Sequence, residues 1–234
     1  MEIGGLQKTT LIDYPGKLAC TVFTLGCNFR CGFCYSSELV LPEKIKNQPQ
    51  VEEADFFDFL DKKKGLLEGV VVCGGEPTIH KDLPEFIKKI KEKGFLVKLD
   101  SNGSNPEVLE RLIKDKLIDY VAMDVKAPKE RYKEVVNVDI DPEKIEKSIN
   151  LLKNSGINYE FRTTIIPGLL EKKDIIEIAR WIGSGGKYYI QQFRGEKTID
   201  PKFEEVKPYT DEHMVEIKNA AAPFVGSCQV RGLE

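Results

Sequence analysis

The sequence predicts an α/β protein whose parallel sheet curls into a partial (β/α)6 TIM-like barrel, and three observations predict it. Short β-branched runs alternate with amphipathic helical stretches, six of each in turn. Right-handed crossovers between such strands close most of a barrel. Chemically unusual residues follow the strand ends one after another, where folds of this class place their ligands.

Residues 1–17 are short of periodicity and end in the turn pair Pro15-Gly16. Leu18–Leu25 is the first buried strand, stopped by Gly26, and Leu39–Gln50 is polar, proline-punctuated loop. Val51–Lys64 carries Phe56, Phe57, Phe59 and Leu60 and reads as helix. Gly69–Cys73 is strand. Leu83–Lys93 is helix, with Leu83, Phe86, Ile87 and Ile90 on one face, Asp82 as N-cap and Gly94 as stop. Phe95–Leu99 is strand, and Asn105-Pro106 opens a helix, since proline fits the first helical position. Tyr120–Val125 is strand, followed by a helix from Asp141-Pro142 to Gly156. Two further pairs follow: strand Tyr159–Ile166 with helix Asp174–Ile182, then strand Tyr188–Phe193 with helix Thr210–Ala222. No linker or repeat divides residues 1–234, so one domain is expected. The longer loops, 127–140 and 195–209, are candidate lids or docking surfaces.

With 41% hydrophobic residues and a net charge of −3, the chain can bury a core and offers no basic surface for nucleic acid. No apolar run approaches a membrane span, and the start lacks a signal peptide's basic and apolar regions, so a cytoplasmic protein is expected. Six cysteines in a chain this size do not require a disulfide framework. Cys20 and Cys73 sit in apolar strands and read as small buried hydrophobes, and Cys228 as a thiol.

The remaining three cysteines carry the chemistry. Cys27-Asn-Phe-Arg-Cys31-Gly-Phe33-Cys34 follows the first strand, and thiolates at C-x3-C-x2-C spacing can wrap a small inorganic centre. Zinc is the alternative, but a structural zinc site wants four ligands, and His80 and His213 lie near no second cysteine pair. Three thiolates on a four-iron cubane leave one iron open. The second strand delivers Gly74-Gly75-Glu76-Pro77, the third Asp100-Ser101-Asn102-Gly103, the fourth Asp124 and Lys126, the fifth Arg162, the sixth Gln191, Gln192 and Arg194. Gly74 and Gly75 would let backbone approach a ligand. For an amino acid chelating the open iron, Glu76 could accept from its amine, while Lys126 and Arg162 could bind its carboxylate. Phe33 offers a ring to a purine.

On these residues the chain resembles the radical S-adenosylmethionine activating enzymes of glycyl-radical enzymes, most closely the anaerobic ribonucleoside-triphosphate reductase activating proteins. The most specific stretch is Thr10-Leu-Ile-Asp13-Tyr-Pro15-Gly16 followed by Val22-Phe-Thr-Leu-Gly26-Cys27-Asn-Phe-Arg-Cys31. Gly74–Pro77, Asp100–Gly103, Met123–Pro128 and Arg162–Gly168 match later strand ends, so the likeness spans nearly the whole chain. It implies the radical SAM type of barrel, with a 4Fe–4S cluster on Cys27, Cys31 and Cys34. It implies S-adenosyl-L-methionine bound by Phe33, Gly74, Gly75, Glu76, Pro77, Asn102, Lys126 and Arg162. Cys27, Cys31, Cys34 and Lys126 would then be catalytic. Some activators also hold a monovalent cation, at positions matching Asp100, Ser101 and Asp124. The implied reaction passes an electron from a ferredoxin or flavodoxin into the sulfonium, and the 5′-deoxyadenosyl radical takes a hydrogen from a glycine of the partner. Asp13 would face that partner's glycine loop. Tyr35 stands where many relatives have histidine or tryptophan, and Gln191–Arg194 replaces a stretch that carries a histidine in pyruvate formate-lyase activators, which argues against pyruvate formate-lyase as partner. The alternatives are a radical SAM enzyme acting on a small molecule, such as a 7-deazaguanine-type synthase, and an iron–sulfur electron carrier.

Overall fold

The computed structural model describes residues 1–233, and the chain forms two compact units, each assembled from separated stretches. The first comprises Met1–Asn28, Glu38–Ser101 and Asn105–Val121. The second comprises Phe29–Ser37, Asn102–Ser104 and the chain from Ala122 onward. No single cut separates them.

In chain order the first elements are β1 (Ile3–Thr10), β2 (Ala19–Thr24), the short helices α1 (Ser37–Val40) and α2 (Pro42–Ile45), and α3 (Glu53–Lys62). Then come β3 (Gly69–Gly74), α4 (Leu83–Glu92), β4 (Leu96–Ser101), α5 (Pro106–Lys114) and β5 (Tyr120–Asp124). The remainder is α6 (Tyr132–Val136), α7 (Pro142–Asn154), β6 (Asn158–Ile165), α8 (Lys172–Ile182), β7 (Lys187–Gln192), α9 (Asp211–Ala221) and β8 (Ser227–Arg231). Strand order follows the chain from β1 to β8.

In the first unit β2, β3 and β4 run parallel, in register from Ala19↔Gly69 and Gly69↔Leu96. Residues 19–22 and 69–72 are all buried, as expected of parallel strands covered on both faces. Phe56 of α3 stacks on Phe86 of α4 at 5.4 Å, and both are within 1% of full burial. Each such side chain contributes roughly 1.5–3 kcal/mol by leaving water. Asp82 precedes α4 without capping it through its side chain; its carboxylate lies 2.6 Å from the Met1 amino group instead.

In the second unit β6, β7 and β8 are parallel. Their inward residues Phe161, Ile165, Tyr188 and Ile190 are fully buried, as are Ile145, Ile175, Ile178 and Met214 from the helices. Asp141 caps α7 by accepting from the Glu143 amide at 3.0 Å, and Glu171 and Asp174 form a reciprocal capping box on α8.

The six expected strands are present, and the structure adds two. β1 pairs antiparallel with β2 through a stretch expected to be irregular. Its pattern was hidden by Gly4, Gly5 and three exposed polar residues, because an edge strand need bury only part of one face. β8 is held by a partner distant in sequence. Arg231 donates from both terminal nitrogens to the buried Glu160 of β6, at 2.7 and 2.9 Å, with its guanidinium 3.5 Å from the Tyr189 ring centre. Among the described residues, no helix is long and apolar enough to cross a membrane.

Candidate active site

In the first unit the end of β2 carries the chain into Leu25, Gly26 and Cys27. The Gly74–Pro77 turn is fastened to that corner: the Gly75 amide donates to Thr24 O at 3.0 Å and the Glu76 amide to Gly26 O at 2.8 Å. A Cβ on Gly75 would stand 1.9 Å from Gly26 O, and one on Gly74 2.3 Å from the Thr24 nitrogen. Both glycines are therefore explained by the close packing of two turns.

Glu76 is fully buried, and its Oε1 accepts from the Thr78 amide at 3.0 Å, Thr78 Oγ1 at 2.5 Å and Ser101 Oγ at 2.9 Å. Its carboxylate thus gathers the Pro77–Ile79 turn and the end of β4. Asn105 adds a bond to Thr78 Oγ1 at 2.9 Å, and His80 Nε2 lies 2.7 Å from Leu25 O. Thr78 was missed from the sequence, where it reads as an ordinary turn residue; Asn105 was expected only to open a helix, and His80 was weighed only against zinc.

Lys98, also missed, is 1% exposed and ion-paired with Asp100. Its signal lay in the pattern: a lysine within the apolar run Phe95–Leu99 demands a buried counter-charge.

Asp13 does more than shape its turn. Its amide donates to Thr10 Oγ1 at 3.2 Å, and its Oδ2 accepts from the buried Thr21 hydroxyl of β2 at 2.7 Å. Beside it, Leu11 and Ile12 are 76% and 85% exposed.

In the second unit the cysteine loop is supported along its backbone. Cys34 N closes a turn on Cys31 O at 3.0 Å, and Arg30 N donates to Val136 O at 2.9 Å. Ile199 N donates to Cys34 O at 3.0 Å and Asp200 N to Gly32 O at 2.8 Å. Phe29 meets Tyr132 edge-on at 6.3 Å, and Phe33 meets Phe203 at the same spacing. Residues of both long loops, 127–140 and 195–209, thus contact the cysteine loop. Asn102 accepts from the Ser104 amide at 3.0 Å and shapes a local turn.

Asp124 stands between the two expected carboxylate binders. Arg162 Nε donates to its Oδ1 at 2.9 Å and Lys126 Nζ to its Oδ2 at 3.1 Å. Burial would raise the Asp124 pKa, but the charges of Arg162 and Lys126 outweigh it and hold the carboxyl well below its usual range. Burial would lower the Lys126 pKa, yet Asp124, Cys31 and Cys34 together raise it. The Lys126 amide also donates to the buried Tyr132 hydroxyl at 3.3 Å. Asp100 and Asp124 therefore have the chain's own cations as partners, and Ser101 donates to Glu76.

Among the described residues, no three His, Cys, Asp or Glu side chains stand together as a metal-holding group. The donor chemistry nevertheless fits an iron–sulfur centre. Cys31 and Cys34 are soft sulfur donors, as such a centre needs, and both lie close enough to act on the charge of Lys126. The other thiols are unsuited: burial pushes Cys20 up to about 12 and Cys228 up to about 11. Cys73 packs with Tyr14, Ala19, Val71 and Tyr120.

Comparison with known proteins gives a consistent picture. The sequence profile of the Radical SAM superfamily matches residues 21–182. A protein of Methanocaldococcus jannaschii, provisionally named a glycyl-radical enzyme activating enzyme, is 36% identical over 98% of this chain and 95% of its own length. A Thermococcus kodakarensis protein, provisionally named a GTP 3′,8-cyclase, is 29% identical over 69% of this chain and 52% of its own. Among solved structures, Streptococcus suis SuiB bound to its precursor peptide SuiA superposes with a TM-score of 0.64 at 15% identity, over 91% of this chain and 48% of SuiB. TYW1 with a lysine–pyruvate adduct superposes with 0.59 at 18% identity, over 88% of this chain and 73% of TYW1. These two likenesses establish the fold.

Proposed function

The chain belongs to the radical SAM superfamily, whose enzymes use a 4Fe–4S cluster and S-adenosyl-L-methionine, and from that membership we propose that it installs a glycyl radical on a partner enzyme. The observation that carries this reading is the end-to-end match to the M. jannaschii relative, 36% identical over nearly the full length of both chains. The resemblance carried by the Thr10–Gly16 and Val22–Cys31 stretches supports anaerobic ribonucleoside-triphosphate reductase as the partner, and with it a ferredoxin or flavodoxin as electron donor. The T. kodakarensis relative is the less similar of the two, at 29% identity over 69% of this chain.

In this reading Cys27, Cys31 and Cys34 hold the cluster, and the bound pair supplies one-electron cleavage of the sulfonium carbon–sulfur bond. Lys126 and Arg162 bind the carboxylate of the methionine moiety. Asp124 orients both and keeps their charge compensated before the ligand arrives. Glu76, held by Thr78 and Ser101, fixes the turn that seats the Cys27 corner and presents its carboxylate toward the ligand amine. Phe33 faces the adenine.

The test is an anaerobic incubation of reconstituted protein, S-adenosylmethionine, a reductant and the glycyl-radical reductase of the same organism, read by EPR. A glycyl doublet on the reductase is the expected outcome. GTP consumption without any radical on the reductase would transfer the assignment to small-molecule chemistry.

A further inference from the structure

The cysteine loop has a support that the proposed chemistry does not by itself require. Within the second unit, the backbone of residues 199–200 runs beside residues 32–34 and makes two bonds that flank Phe33. These run from Ile199 N to Cys34 O at 3.0 Å and from Asp200 N to Gly32 O at 2.8 Å. The segment is stiffened from within. Thr198 Oγ1 donates to Asp200 O at 2.7 Å, the Thr198 amide to Glu204 Oε1 at 3.1 Å, and Phe203 N to Asp200 O at 3.1 Å. Phe203, 8% exposed, sets its ring edge-on to Phe33 at 6.3 Å and to Phe193 at 6.5 Å.

Gly32 is the second half of the observation. It is not among the residues with positive φ, so backbone conformation does not explain the glycine between Cys31 and Phe33. Space does. A Cβ there would stand 2.8 Å from Phe203 Cε2 and 3.2 Å from the Asp200 Cβ.

We infer that Thr198–Phe203 is a clamp on the cluster-bearing loop, with Gly32 its seat and Phe203 the positioning residue that holds Cys31 and Cys34 in place. The clamp gives the Gly32 and Cys34 carbonyls donors of their own, which keeps those dipoles in fixed directions beside the thiolates. It also shields that part of the loop from water. Both factors tune iron–sulfur centres, whose potentials depend on local hydrogen bonding and solvent exposure. The inference rests on the proposed reading that Cys31 and Cys34 are cluster ligands, and deepens it.

The experiment compares reconstituted wild type with Gly32→Ala, Phe203→Ala, the double variant Gly32→Ala/Phe203→Leu, and Cys31→Ala. The readouts are the rate of iron release to an excess ferrous chelator and the cluster's midpoint potential. Gly32→Ala and Phe203→Ala are expected to release iron roughly tenfold faster, with a shifted potential, as outer-shell substitutions do. The double variant removes the ring atom nearest the new methyl, so its release rate should return toward wild type. Wild-type rates and potentials in both single variants overturn the clamp while leaving the cluster assignment intact. A wild type that takes up no iron, or a Cys31→Ala that retains it, overturns the cluster assignment itself. Should the single variants misfold, hydrogen exchange on reconstituted wild type decides. Slow exchange at Ile199 and Asp200 supports the clamp, and exchange at open-loop rates overturns it.

Discussion

Arg162 donates from Nε to Asp124 Oδ1 at 2.9 Å, so a cation expected to face a ligand carboxylate is already oriented by a carboxylate of the chain. Lys126 takes the other oxygen at 3.1 Å. Replacing Asp124 by Asn leaves two neighbouring cations without their counter-charge. At neutral pH the loss should be about 1–3 kcal/mol, read by denaturant titration.

The same pair sets a pH dependence. The Asp124 pKa is depressed below its ordinary 3.8, so its stabilisation is present above about that pH and is lost as pH falls toward the folded value. The Lys126 pKa is raised above its ordinary 10.5, so its contribution is present below that pH and is lost as pH rises through the folded value. The gap in stability between wild type and Asp124→Asn should therefore be flat between these limits and shrink below about pH 4. A gap that instead widens on acidification would contradict the pairing.

Lys126→Ala and Arg162→Ala should each weaken S-adenosylmethionine binding by on the order of 1.5–3 kcal/mol, since each removes a charge-assisted partner of the ligand carboxylate. Cluster content should stay at the wild-type level. The change in the reduced cluster's EPR signal on titration measures the affinity, and equal affinity in both variants would place the carboxylate elsewhere.

Iron and sulfide analysis of six Cys→Ala variants should divide them three and three. Cys27, Cys31 and Cys34 variants lose the cluster, and Cys20, Cys73 and Cys228 variants retain it, two of these thiols being pushed up by burial and the third packed in the core. Loss in Cys73→Ala would show that the donor set is misassigned.

Gly75→Ala places a methyl 1.9 Å from Gly26 O, against backbone that cannot swing aside. It should displace the Cys27 corner and lower cluster uptake, although Gly75 supplies no ligand. Gly5→Ala, whose φ is not positive and whose Cβ would meet nothing closer than Phe23 Cδ2 at 3.6 Å, controls for simple loss of glycine. The finding that would remove this role is full cluster content in Gly75→Ala.

Asp13→Asn keeps an oxygen for the Thr21 hydroxyl, so fold, cluster and S-adenosylmethionine binding should survive. Leu11 and Ile12 are exposed beside it, and if this turn meets the partner as proposed, radical transfer to the reductase should slow while 5′-deoxyadenosine release continues. Counting both products checks this. Equal radical yields would reduce Asp13 to its bond with Thr21.

Much of the protein was legible in the chain itself, and the physical reason is locality. Strands such as residues 69–73 and the α4 stripe Leu83, Phe86, Ile87, Ile90 announce themselves through apolar spacing within a few residues. The cysteine spacing and the Gly-Gly-Glu-Pro turn are likewise continuous in sequence, so the chemistry they suggest needed no structure. Tertiary structure decided what depends on partners far along the chain. Asp124 meets Arg162 across 38 positions, Glu76 meets Ser101 across 25, and Glu160 recruits Arg231 across 71 to hold an edge strand too short and polar to declare itself. Gly32 and Gly75 give no sign in the sequence of what packs against them. Only the atoms packed against their absent side chains, Phe203 for one and Gly26 for the other, show that each serves the chain's own close approach.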